Sequence, residues 1–142
     1  MKHVKYHKVD DVANPIYQTD GAVAFDLEAA VDTNVPGRAM VRIPSGLVIE
    51  VPEDMGLLLV PRSSTFSKFG LIMPHSVGVI DQDYCGYDDE ILLQVYNIKP
   101  APVTVPAGTR IAQGLFIPVA RVQFVEAASI AAENRGGFGS TG

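Results

Sequence analysis

Two carboxylates and a tyrosine fall close together in the stretch GVIDQDYCG, Gly78 to Gly86. Val77, Val79 and Ile80 read as the end of a buried strand, and the polar run after them turns too tightly to be core. Strand alternation places Asp81 and Asp83 on one side. Beside an apolar pocket for a base and a sugar, Asp81 can hold a water as general base, and Tyr84 offers a flat ring to the bound molecule. An ordinary Asp-rich hairpin turn has the same composition, and the segment alone favours that plainer reading.

Other segments carry complementary chemistry. In PRSSTFSKFG, Pro61 to Gly70, a strand ends at Pro61. Ser63, Ser64 and Thr65 are N-cap residues for a short helix that Gly70 ends. Free amides and serine hydroxyls flanked by Arg62 and Lys68 make a phosphate cradle, or else a capped turn with no ligand. Asp26 interrupts an apolar strand over Ala22 to Ala30 and requires a partner, either an arginine or a wet cavity. Gln113 sits among Ile111, Ala112, Leu115 and Phe116, and its amide needs partners from the structure or from a ligand. The chain ends in ENRGGFGSTG. This reads as a disordered terminus, or as a flexible segment in which Phe138 stacks on a base while Arg135, Ser140 and Thr141 reach phosphates. It lacks the Lys-Ser/Thr ending of a Walker loop. His3 and His7 lack a third ligand and read as a solvated strand face, and Asp88, Asp89 and Glu90 as an exposed acidic tip.

The elements that must position these groups are short strands. Thirteen glycines and ten prolines are spread over 142 residues with 47% hydrophobic content, which favours one all-β domain with many turns. Strands are expected at His3 to Val9, Arg38 to Ile43, Gly46 to Val51, Gly56 to Val60, Ile91 to Tyr96, Arg110 to Ile117 and Val122 to Val125, with a turn-rich connector from Pro100 to Gly108. In the Gly46 to Val51 segment, Leu47, Ile49 and Val51 share a face. A net charge of −5 excludes a general field for nucleic acid, so an anionic ligand must meet local cations. The single cysteine, Cys85, forms no internal disulfide, and the N-terminus lacks the apolar run of a signal peptide. No stretch is long enough to span a membrane. The expected compartment is the cytoplasm.

In this order, AFDLEAA at Ala24, PRSSTFSKFG at Pro61, GVIDQDYCG at Gly78, GTRIAQG at Gly108 and RGGFGSTG at Arg135 resemble the motifs of the trimeric dUTP pyrophosphatases, the dUTPases. The resemblance implies a distorted jelly-roll (β-clip) subunit with one short helix over residues 1–126, and an arm over 127–142 that closes a neighbour's active site in a homotrimer. It implies hydrolysis of dUTP to dUMP and pyrophosphate with Mg²⁺. Asp81 would activate the water that attacks the α-phosphorus, and Tyr84 would pack under the deoxyribose. Arg62, Ser63, Ser64 and Gln113 would hold the phosphates, and Asp26 would contact waters on the Mg²⁺. Phe138 would close over the uracil, with Arg135, Ser140 and Thr141 on phosphates. The hairpin around Val79 would exclude thymine sterically, with His75 near the base. Val125 and Phe138 are 13 positions apart, so an extended arm reaches on the order of 40 Å, enough to cover an adjacent subunit's site.

The sequence departs from the family pattern at several points. Cys85 stands where arginine often follows the motif tyrosine, and His75 where asparagine is common. Ala24 replaces a frequent glycine, the Gly86 to Asn97 loop is a few residues longer, and the tail is shorter between Arg135 and Phe138, which bears on the role of Arg135. Two rival functions remain on the sequence. One is a dCTP deaminase or bifunctional relative, which would need a glutamate base where Gln94 stands. The other is a non-catalytic regulatory protein that keeps the fold to bind nucleotide.

Overall fold

Short β-favouring runs separated by Gly, Pro, Asp and Asn cannot build long strands, and the chain folds into eleven short strands and one helical turn. The computed structural model describes residues 2–142. In chain order the elements are β1 (Tyr6–Lys8), β2 (Phe25–Glu28), β3 (Thr33–Val35), β4 (Met40–Pro44), β5 (Leu47–Ile49), β6 (Met55–Pro61), α1 (Thr65–Phe69), β7 (Leu71–Ile72), β8 (Gly78–Ile80), β9 (Leu92–Asn97), β10 (Val103–Val105) and β11 (Arg110–Pro118). The expected all-β class with one short helix is the observed one.

All strand pairs are antiparallel. A four-stranded sheet in the order β2-β11-β6-β8 carries most of the chemistry-bearing residues, and a three-stranded sheet β4-β9-β7 and the pairs β1-β5 and β10-β3 complete the body. Alternation sends Leu57 and Leu59 of β6, Leu93 and Val95 of β9 and Phe25 and Leu27 of β2 into a common core with Ile43, Leu71 and Ile111. Burying each such side chain contributes about 1.5–3 kcal/mol. Buried polar groups are matched: the Thr65 hydroxyl donates to the Ile111 carbonyl at 2.7 Å. The Asn97 amide donates to the carbonyls of Val35 and Ala101 at 3.2 and 2.9 Å and accepts from the Lys99 N–H at 2.9 Å.

Several expectations change in detail. The Pro100 to Gly108 connector contains β10, paired with β3, a strand with no counterpart in the sequence reading. β5 is buried on both faces, Val48 included, where alternation over Leu47, Ile49 and Val51 gave it a single buried face. The helix begins at Thr65 and ends at Gly70 in the left-handed conformation (φ 67°), as expected, but the Ser64 hydroxyl makes no capping hydrogen bond. β8 is not a buried strand end. It is the edge of its sheet, with β6 as partner, and Val79 is 65% exposed. Residues 122–125 form no strand: the last body contact in this segment is the Val119 N–H to the Asp54 carbonyl at 3.0 Å. Past it residues 122–125 pair with no other strand of the described chain, and Phe124 and Val125 stand exposed.

Candidate active site

The first constellation is built on the sheet centre. Asp26 on β2 faces Gln113 on β11, which in turn faces Val60 on β6, so the register lines up three adjacent strands. The Asp26 carboxylate is 14% exposed and takes Arg62 Nε on Oδ1 at 2.7 Å and Arg110 Nη1 on Oδ2 at 3.1 Å. Arg62 Nη1 also donates to the Arg110 carbonyl at 3.4 Å. The arginine partner expected for Asp26 is thus present, twice over. One carboxylate between two guanidiniums leaves a net positive charge at the surface, with Ser63 exposed and Ser64 half-buried just beyond. The Gln113 amide donates to the Pro61 carbonyl at 3.1 Å, which spends one of its two N–H donors and fixes the side chain beside Arg62. This is a surface shaped for an anion with several oxygens.

Arg110 was not among the residues singled out from sequence, and a β-bulge explains why. In a regular strand Arg110 and Gln113, three apart, would face opposite sides. The register of β11 against β2 shifts between Arg110 and Ala112, and Ile111 and Ala112 are both buried in succession. The extra residue turns Arg110 onto the face of Asp26.

The second constellation follows the edge strand. After Ile80 the chain turns, with the Tyr84 N–H donating to the Asp81 carbonyl at 3.2 Å. Gln82 points inward, and its amide donates to the carbonyls of Glu53 and Met55, which ties the turn to the β5–β6 connection. Asp81 and Asp83 are exposed in the turn that follows β8, and with Gln82 they line an open depression of about 900 Å³ to which Val79, Lys5 and Arg121 also contribute. Tyr84 is 37% exposed, and its hydroxyl donates to the Glu90 carbonyl at 2.9 Å. His75 is exposed at the preceding turn, where a Cβ on Gly78 would lie 3.2 Å from the imidazole. The structure thus groups His75, Val79, Asp81 and Tyr84 along the edge strand β8 and the turns that flank it; the expected hairpin is not formed, because β8 pairs with β6 and the next strand, β9, belongs to another sheet.

The two constellations do not meet within one chain. Ile80 is opposite Leu57, so Asp81 is level with Gly56, whereas Gln113 is level with Val60 and two strands away. Four residues along a strand and two strand spacings across separate them by on the order of 16 Å. The remaining candidates, Arg135, Phe138, Ser140 and Thr141, lie in an exposed terminal segment whose hydrogen bonds among the described residues are local turns, such as the Ser140 N–H to the Gly137 carbonyl at 3.1 Å. Gln94, the position a deaminase would need as glutamate, lies on β9 opposite Arg42, in the other sheet from Asp81.

Comparison with known proteins decides the family: the dUTPase family model matches residues 10–142. The chain belongs to the dUTPase family. It is 44% identical over 134 residues to the deoxyuridine 5'-triphosphate nucleotidohydrolase of Desulfitobacterium hafniense, covering 90% of this chain and 86% of that one. It is 37% identical over 139 residues to the protein of the same name from Methylococcus capsulatus, covering 94% and 89%. Among solved structures, the Streptococcus mutans dUTPase superposes with a TM-score of 0.77 at 31% identity, covering 84% of this chain and 98% of that one. The β-rich dUTPase fold expected from the five motifs is therefore the fold found. Among the described residues of this dUTPase-family chain, no helix is long and apolar enough to cross a membrane.

Proposed function

We propose that this protein hydrolyses dUTP to dUMP and pyrophosphate at a site assembled from more than one copy of the chain. The observation that carries the second half of this reading is the separation of Asp81 from the Arg62–Gln113 cluster. A general base must sit within hydrogen-bond reach of its water, and that water within bonding reach of the phosphorus. Residues about 16 Å apart cannot serve one α-phosphate, but Asp81 of one subunit and the cluster of another can. We take the assembly to be a homotrimer.

In this reading Arg62, Ser63, Ser64 and Gln113 bind the triphosphate, with the two guanidiniums on Asp26 supplying the surplus positive charge. Asp81 accepts a proton from water as its oxygen bonds to the α-phosphorus. The bond from that phosphorus to the bridging oxygen breaks, and pyrophosphate leaves with the electron pair. A positioned base of this kind contributes about 10²- to 10⁴-fold in rate. Tyr84 packs beneath the deoxyribose, and the edge segment carrying His75 and Val79 receives the uracil, leaving no room for the methyl of thymine. Phe138 covers the base, and Arg135, Ser140 and Thr141 contact phosphates once residues 127–142 fold over a neighbouring subunit's site.

The residues present fit a Mg²⁺ held by phosphates and water. Among the described residues no three His, Cys, Asp or Glu side chains gather to ligate a metal directly. Each oxygen of Asp26 spends one lone pair on an arginine, and a carboxylate has about four acceptor positions, so two stay open toward metal-bound waters. A Mg²⁺ held there would supply positive charge against the leaving pyrophosphate. The exposed free thiol of Cys85 suits a reducing compartment, and we assign the protein to the cytoplasm, with no nucleic-acid or membrane partner.

The test is pyrophosphate release from dUTP, dCTP, dTTP and UTP, each with and without Mg²⁺. Turnover confined to dUTP and dependent on Mg²⁺ is expected. Ammonia released from dCTP would establish the deaminase function instead, and binding of dUTP without turnover would make the chain a regulatory nucleotide-binding protein.

A further inference from the structure

The loop from Gly86 to Glu90 is tied to a part of the body that the reaction does not use. The Glu90 carboxylate, through Oε1, accepts the Gly46 N–H at 2.7 Å. Its neighbour Ile91 is buried, donates its N–H to the Leu47 carbonyl at 2.9 Å and accepts the Ser45 N–H at 3.1 Å. Residues 90 and 91 are thus held at three points by the tight turn between β4 and β5. That turn is itself fixed: Gly46 has φ 72°, and a Cβ there would lie 2.6 Å from Val12 Cγ1. From this anchor the Glu90 carbonyl accepts the Tyr84 hydroxyl at 2.9 Å. Inside the loop, Asp89 Oδ2 accepts the Gly86 N–H at 2.7 Å and closes it on itself.

We infer that Glu90 is a positioning residue that, seated on Gly46, fixes the height of the Tyr84 ring and thereby sets how strongly a ribonucleotide is rejected. The inference rests on the reading that Tyr84 packs under the deoxyribose. Steric rejection of one hydroxyl depends on a wall that does not yield, because a ring free to withdraw by about an ångström admits the larger sugar at little cost. Tyr84 is one-third exposed and projects from a turn, so that turn by itself supplies little stiffness. The link to Glu90 supplies it from the β4–β5 turn. The sequence marked Asp88 to Glu90 only as an acidic tip, and the structure gives two of these acids separate backbone N–H groups to hold.

The experiment compares kcat/KM for dUTP and UTP in four single variants and one double variant. Glu90→Ala is expected to lower the dUTP-over-UTP preference about tenfold, mainly through a lower KM for UTP, the effect of releasing one charge-assisted hydrogen bond at a part-buried site. Glu90→Gln keeps an oxygen acceptor for Gly46 and should restore most of the preference. Tyr84→Phe removes the far end of the same link without touching the turn. It should lose preference to the same extent, combine with Glu90→Ala without further loss, and decide the matter if Glu90→Ala does not fold. An unchanged preference in Glu90→Ala and Tyr84→Phe overturns the inference. Tyr84→Ala separates the two levels. If it leaves the preference intact, the sugar-gate reading itself fails, whereas lost preference there with intact preference in the other two removes only the role of Glu90.

Discussion

The Asp26–Arg62–Arg110–Gln113 cluster and residues 119–142 sit at opposite extremes of order in the same chain. The cluster is set by three adjacent strands, a bulge and two ion pairs, so its geometry is complete in an isolated subunit. The terminal segment has Val122, Phe124, Ile130 and Phe138 largely or wholly exposed, and past Val119 it makes no hydrogen bond to the body among the described residues. Groups that hold charge are prepared in advance, which lowers the reorganisation needed on binding. In the proposed reaction the groups that would cover the base keep their freedom until a ligand and a neighbour give them something to cover. The edge turn bearing Asp81 lies between these extremes, rigid in itself but remote from the phosphates of its own chain.

Four measurements press on this contrast. The largest effect is expected from Asp81→Asn, which should lower kcat for dUTP by about 10²- to 10⁴-fold with little change in KM or melting temperature. A fall confined to KM would move the base elsewhere. Deleting residues after Asn134 should cost on the order of 10²-fold in kcat, yet leave the unfolding midpoint and the number of subunits unchanged, because residues 135–142 make no hydrogen bond to the body among the described residues. A drop in midpoint would show that the segment is packed in solution. Next comes Asp26→Asn, which leaves two guanidiniums facing each other. We expect about 1–2 kcal/mol of lost stability, discounted for the half-exposed Arg110, together with a raised KM for dUTP. Denaturant unfolding and steady-state kinetics on the same preparation check both. The smallest effect belongs to Arg110→Ala, at under about 1 kcal/mol and a severalfold rise in KM, since its guanidinium is 47% exposed.

Local chemistry was legible in the sequence wherever its cause was local. Gly70 ends the helix because a left-handed residue was needed there, and the need of Asp26 for either a partner or a wet cavity followed from one acid in an apolar strand. What escaped depended on pairings between distant segments. β3 and β10 are three residues each and stabilise one another across the chain, with Asn97 bridging to both the Val35 and the Ala101 carbonyls. Neither strand carries enough apolar pattern to announce itself. The reach of Arg110 to Asp26 required a bulge whose position emerges only once β11 lies against β2. The strand expected at Val122 to Val125 shows the converse. Its β-favouring composition is real, but a strand is a relation between two segments, and residues 122–125 pair with no other segment of the described chain.

Cys85 gives the molecule an experimental handle. It is the only thiol, it is exposed, and it adjoins Tyr84 in sequence. One maleimide dye therefore attaches at a single known place beside the sugar platform, with no engineering of other cysteines. Its emission would report, in real time and without a substrate analogue, each arrival of a neighbouring subunit's terminal segment over that site.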